Sequence, residues 1–319
     1  MKVLVTGANG FVGTTIVEQL RRRGDHVLAL VRKGRSMPVE TREANEWSEA
    51  TLTKALEGAE AVIHAASLVH RRGAPLEEYV RFNVDGTRAL LDAAAANGVK
   101  RFVFVSSLKV YGEAPVGIID EDTPLLADLP YAVTKRDSEA LVLAASSRFE
   151  RGSVAIRPAP IFGIGDKGNV RQMIKHASRH TLFVPGDGAT KKSIVHVDLV
   201  ARACVAALDR DTTGAFVVAN REAPSVGDLA DLIAKRVGRR RPPRVPNWLL
   251  LGAASATDRL MNAARMKPLG ARALVQKSQI PTVCNVSRIE KELGIDCSVD
   301  LDAVLREEIE WMRRERQIS

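Results

Sequence analysis

The chain of 319 residues, 45% hydrophobic and 27% charged, is long enough for one large α/β domain or a nucleotide domain with a smaller companion. No apolar run approaches the roughly 20 residues that cross a bilayer, the longest of consequence being residues 248–256, so no transmembrane segment is expected. The net charge of +9 comes with only 4% aromatics, and the basic runs 21–23, 239–241 and 313–316 fall at or just past predicted helix ends, where cations suit the dipole; nucleic-acid binding is not expected.

Residues 2–6 form the first predicted strand, with no charged and apolar leader before it, and the sequence predicts a cytoplasmic protein. Further strands are predicted at 26–31, 61–64, 101–106, 153–157 and 215–219, and helices at 12–23, 51–56, 79–97 and 131–147. This alternation is the pattern of a parallel sheet with crossover helices. From about Gly163 the alternation loosens into a Gly/Pro loop at 185–188, a Pro-rich patch (Pro242, Pro243, Pro246) and a C-terminal amphipathic helix after Asp300. That helix buries Leu301, Val304, Leu305, Ile309 and Met312. The expected architecture is a doubly wound Rossmann sheet made of residues 1–165 and 193–220. A smaller substrate-binding region comprises 166–192 and 221–319. Cys204, Cys284 and Cys297 form no CxxC and have no neighbouring His, so no metal is expected.

The first strand runs into Gly7-Ala-Asn-Gly10-Phe-Val-Gly13 and then a helix. Gly7 permits the tight turn, Gly10 lets backbone approach a pyrophosphate, and Gly13 lets the helix pack close to the sheet, with its N-terminus facing phosphate. At the end of the second strand an acid would bind ribose hydroxyls. Arg32, Lys33 and Arg35 stand there instead, and an arginine fork suits the extra phosphate of NADP, which is expected over NAD.

Tyr131 and Lys135 are four apart on a predicted helix and share a face, so the ammonium is expected to lower the phenol pKa and ready it for proton transfer.

Several segments occur in an order that resembles the extended short-chain dehydrogenase/reductases, which include the NAD-dependent epimerase/dehydratase proteins. They are Thr6-Gly-Ala-Asn-Gly-Phe-Val-Gly13, His64-Ala-Ala66, Asn83-Val-Asp-Gly-Thr87, Val105-Ser-Ser-Leu-Lys-Val-Tyr-Gly112, Tyr131-Ala-Val-Thr-Lys135, Arg157-Pro158 and His196-Val-Asp198. The resemblance implies an enzyme with a Ser107, Tyr131, Lys135 catalytic centre. It also implies a cofactor site of Gly7, Asn9, Gly10, Phe11, Val12, Gly13, Arg32, Ala65, Ala66, Asn83, Tyr131, Lys135 and Pro158. Asn83 is expected to tie its helix to the strand ends, His64 and Tyr111 to pack, and Ser106 to satisfy local backbone. Dimerisation through the helices at 79–97 and 131–147 is implied too.

Where the resemblance leads one to expect an acidic residue facing adenine, the sequence offers Glu46-Trp47, in a segment (41–49) of little strand character. Many nucleotide-sugar epimerases carry Asn three residues after the Arg; here Pro160 stands there, in a segment closer to the dihydroflavonol-reductase-like and 3β-hydroxysteroid-dehydrogenase-like branches. The expected activity is hydride transfer between nicotinamide and a secondary alcohol or ketone of a small molecule, with residues 248–256 lining or lidding an apolar pocket. The alternatives are a nucleotide-sugar epimerase or dehydratase, with Arg171, Lys175, Lys191 and Lys192 receiving a diphosphate, and a cofactor-sensing protein without catalysis.

Overall fold

The computed structural model describes residues 1–69, 74–113, 115, 117–263, 275–276 and 278–318. Near-continuous runs of apolar and β-branched residues make strands buried on both faces. In β1 (Lys2–Thr6), Val3 and Val5 face one helical layer and Leu4 the other. With β2 (His26–Val31), β3 (Glu40–Glu43), β4 (Ala61–His64), β5 (Arg101–Val105), β7 (Ser153–Pro158) and β11 (Gly214–Val218) it builds a parallel sheet in the order β11-β7-β5-β4-β1-β2-β3. The order reverses between β1 and β4, and the crevice at the carboxyl ends of those strands is where such sheets take ligands.

One face is covered by α1 (Phe11–Arg23), α7 (Val197–Ala206) and α10 (Ser287–Leu293), and the other by α2 (Glu49–Leu56), α4 (Gly86–Ala96) and α5 (Pro130–Ala144). Helix α1 ends on Gly24, left-handed at φ 86°, beside the cations Arg21 to Arg23. A third core joins Phe162 and Ile174 to Ile233, Leu305, Ile309 and Met312, from α6 (Asn169–Ser178), α8 (Val226–Val237) and α11 (Leu301–Arg314). On α11, Leu305, Ile309 and Met312 are buried as expected, whereas Leu301 and Val304 are only partly covered.

Two segments differ from expectation. Residues 40–43, in a region read as having little strand character, form β3 at the sheet edge, because pairing with β2 imposes the strand on the charged sequence Glu-Thr-Arg-Glu. The single helix expected over 79–97 is three pieces: α3 (Leu76–Tyr79), a π-helical stretch Val80–Asp85, and α4. Widened turns of this kind recur at functional sites, and here the turn carries Asn83.

Candidate active site

The glycine loop is built by close contact. Gly7 sits at φ 66°, and a Cβ there would lie 2.8 Å from the Ala66 Cα; one on Gly13 would lie 2.0 Å from the Gly7 carbonyl. The turn therefore closes only with glycine at both positions, and it holds Ala65 and Ala66 against the loop. The N-cap Gly10 offers no side-chain cap and the first turn of α1 has no acid. The orphan amides at Phe11 to Gly13 thus keep their capacity for an anionic group. These residues fit the pyrophosphate of a dinucleotide.

Tyr131 is the second residue of α5, directly after Pro130, which suits the first helical turn. Its hydroxyl is hydrogen-bonded to Ser107, which lies two residues beyond β5 and also accepts from the Lys109 amide at 3.2 Å. Lys135, one turn further on, is 3% exposed; its Nζ donates to the Val105 carbonyl and lies 4.1 Å from the centroid of the Phe104 ring. The structure therefore gathers Ser107, Tyr131 and Lys135 at the carboxyl end of β5.

The expected electrostatics are reversed. Burial pushes the Tyr131 phenol up to about 12, with the Ser107 bond opposing, and pushes Lys135 down to about 7, with Glu139 opposing. Loss of water sets both directions, and the tyrosine–lysine pairing that helix spacing suggested is not among the causes.

Ser106 also departs from expectation. Its backbone amide pairs with Ile156, but its Oγ is buried with no hydrogen-bond partner, so it does not satisfy local backbone groups. An orphaned hydroxyl beside Ser107 adds polar capacity for a bound molecule.

The surroundings fix this cluster. Asn83 accepts from the Leu68 amide at 2.7 Å and donates to its carbonyl and to Thr134, tying the π turn to both the β4 loop and α5. His64 bridges Thr6 Oγ1 at 2.6 Å and Thr87 Oγ1 at 3.0 Å, and burial pushes its pKa down to about 3, so it is a neutral strut. Thr6 Oγ1 in turn accepts from the Ala66 amide. Sequence reasoning missed the buried pair of Arg157 and Glu139. Arg157 donates to both carboxylate oxygens, the shortest contact being 2.6 Å, and to the Tyr111 hydroxyl at 2.6 Å. Glu139 lies four residues beyond Lys135, a spacing that could have revealed it.

Arg32, Lys33 and Arg35 follow β2 as exposed cations with no side-chain hydrogen bond or ion pair among the described residues, whereas the Lys33 and Gly34 amides are held by Asn45 and Glu43. Glu46 is exposed, and Trp47 packs on His64 and Phe82 at 5.5 and 6.2 Å between ring centroids. Pro158 ends β7, opposite Val218. Arg171 is committed to Gln317 and the Asp166 carbonyl, and Lys192 to the Ile280 carbonyl. Trp248 and Leu249 are exposed rather than walling an enclosed pocket. Among the described residues, no group of three or more His, Cys, Asp or Glu could hold a metal, and no helix is long and apolar enough to cross a membrane.

A Rossmann sheet with a glycine-lined crevice and a Ser, Tyr, Lys cluster, its lysine buried and its serine and tyrosine partly exposed, defines a dinucleotide-dependent enzyme. The chain belongs to the NAD dependent epimerase/dehydratase family, whose sequence model matches residues 3–219. It is similar to a 2-alkyl-3-oxoalkanoate reductase of Stenotrophomonas maltophilia (strain K279a), 28% identical over 96% of this chain and 98% of that protein. It is also similar to a 3-diazoavenalumate denitrifying reductase of Streptomyces sp, 31% identical over 84% and 96%. Among solved structures, MoeE5 in complex with UDP-glucose and NAD superposes with a TM-score of 0.78 at 27% identity, covering 99% of this chain and 100% of that one. The protein is accordingly an enzyme of this NAD-dependent family, whose members include reductases, epimerases and dehydratases.

Proposed function

We propose that this enzyme reduces a ketone, or oxidises the corresponding secondary alcohol, on an apolar substrate without a nucleotide handle, using NADP. The observation that carries the chemistry is the Tyr131 hydroxyl bonded to Ser107, with Lys135 one turn away. When bound, the nicotinamide supplies or accepts hydride at carbon. Ser107 holds the substrate oxygen toward Tyr131. Tyr131, with a pKa near 12, is protonated at neutral pH and donates its proton to that oxygen. Lys135 hydrogen-bonds the ribose and keeps Tyr131 in place. Gly7, Asn9, Gly10, Phe11, Val12 and Gly13 hold the pyrophosphate, with Ala65, Ala66, Asn83 and Pro158 shaping the rest of the cofactor site. Arg32 with its neighbours takes the 2′-phosphate.

Two features support an apolar substrate. Pro160 has neither amide donor nor polar side chain where many nucleotide-sugar epimerases place Asn. Leu126 and Leu129, just before Tyr131, and Ile164, in the loop after β8 (Ile161–Phe162), are exposed apolar residues. The likeness to a reductase of 2-alkyl-3-oxoalkanoates fits the same substrate class. The second reading, a nucleotide-sugar epimerase or dehydratase, draws on the likeness to MoeE5. Residues 1–165 with 193–220 form the nucleotide unit and the remainder the substrate unit in this reading, the enzyme works as a cytoplasmic homodimer, and α4 and α5 supply the dimer contact.

Turnover with a 2-alkyl-3-oxo acid tests it. Stoichiometric NADPH consumption is expected; conversion of UDP-glucose with no net change in cofactor would overturn it.

A further inference from the structure

The positive charge of this protein is concentrated. Residues 232–289 hold twelve Lys and Arg against one acid, Asp258, which exceeds the +9 of the whole chain and leaves the remainder slightly acidic. Within this stretch lies α9 (Asn247–Ala263), in which no residue before Asp258 is charged. Its exposed positions include Trp248, Leu249, Gly252, Ala253 and Ala256, while Ala254 is buried. That spacing places them on one face of the helix. Trp248 is 74% exposed and Leu249 48%. A surface helix ordinarily turns its charged side outward and its apolar side in; α9 shows solvent an uncharged face.

Cations gather at the approach to the N-terminal end of this helix. β12 (Arg244–Val245) leads into α9 and pairs with β9 (Val184–Pro185), which follows the exposed Phe183. Arg239, Arg240 and Arg241 follow α8 directly. Arg313 donates to the Val237 carbonyl at the end of α8, which brings the C-terminal Arg313, Arg314 and Arg316 to that same helix end. The acids of this region are Asp231, held by Arg244 in two 3.0 Å bonds and 3.8 Å from Arg241, Asp302, paired with Arg236, and the exposed Glu315 between Arg314 and Arg316, so the cations outnumber them.

We infer that this surface docks on an anionic lipid bilayer, with Trp248 and Leu249 entering the interface and the arginines resting on headgroup phosphates. An amphipathic tryptophan ring is suited to that depth, and a basic cluster beside an apolar helix face is the pattern of a helix lying in the interfacial plane. The small residues Gly252, Ala253 and Ala256 give the face little relief with which to hold a protein's side chains, whereas a fluid bilayer needs none. The inference is independent of the reaction proposed above, although a membrane surface is where an apolar substrate would be met.

Sedimentation of the full chain with vesicles tests it. Vesicles of phosphatidylcholine with about one third phosphatidylglycerol should bind at least about tenfold more protein than phosphatidylcholine alone, and added salt should release it. The W248S/L249S variant should lose about tenfold in binding while keeping its melting temperature and its turnover of a water-soluble ketone. Tryptophan emission should shift to the blue on binding, and W248F, which keeps the apolar face, should bind without that shift. Failure to bind the anionic vesicles, or binding unchanged in W248S/L249S, would overturn the proposal. So would an acidic soluble protein that binds the surface when vesicles do not.

Discussion

The Tyr131 hydroxyl is hydrogen-bonded to Ser107 in a site dry enough to push the phenol up to about 12. A tyrosine so placed is an acid in waiting. Replacing it with phenylalanine should lower kcat by about 10²- to 10⁴-fold, the usual contribution of a positioned proton donor. Cofactor affinity, read by NADPH fluorescence titration, should hold. Ser107→Ala should lower kcat as well; unaltered turnover in either variant would remove that residue from the reaction.

Arg32 and Arg35 lie exposed after β2 and engage no carboxylate among the described residues. The double variant Arg32→Ala/Arg35→Ala should weaken NADPH binding by about tenfold or more and leave NADH nearly unchanged, because charge-assisted bonds to the 2′-phosphate disappear while those to the pyrophosphate remain. Parallel titrations with the two cofactors check this, and equal losses for both would refute NADP preference.

Arg157 and Glu139 form an ion pair whose side chains are 6% and 2% exposed. Arg157→Met strands the carboxylate in the core and frees the Tyr111 hydroxyl. Denaturant unfolding should show a loss of about 3–5 kcal/mol. A loss below about 1 kcal/mol would mean that water or a shifted side chain replaces the guanidinium.

Glu308 on α11 is 1% exposed and has an oxygen without a partner; burial, aided by Asp166, pushes its pKa up to about 7, with Arg171 opposing. A carboxyl raised in the folded state contributes stability that is complete below its unfolded value of about 4.5 and is lost as the pH rises through 7. Glu308→Gln should flatten the fall in melting temperature between pH 5 and pH 8 and stabilise the protein at the upper end. An unchanged pH profile would place the titration elsewhere.

Much of this was legible beforehand, and the gaps have particular causes. The Rossmann sheet and its glycine turn were readable because Gly7, Gly10 and Gly13 follow a strand directly and local sterics leave few alternatives. The edge strand β3 was not, since Glu40 to Glu43 carries no apolar pattern and is strand only through its bonds to β2. The π turn around Asn83 escaped for a like reason: its amide takes partners from the β4 loop and from α5, both distant in sequence.

The sequence by itself determined the parallel sheet, the glycine loop and the shared helix face of Tyr131 and Lys135, because these rest on local pattern and spacing, whereas Ser107 was singled out over Ser106 only by the family resemblance. The tertiary structure decided the charge states of Tyr131 and Lys135. Burial against β5 depresses Lys135, raises Tyr131 and leaves Ser106 unpartnered, and desolvation depends on neighbours that no local pattern contains. It also decided which face of α9 meets solvent, a fact that reads opposite to the usual rule because the helix is placed by the rest of the fold.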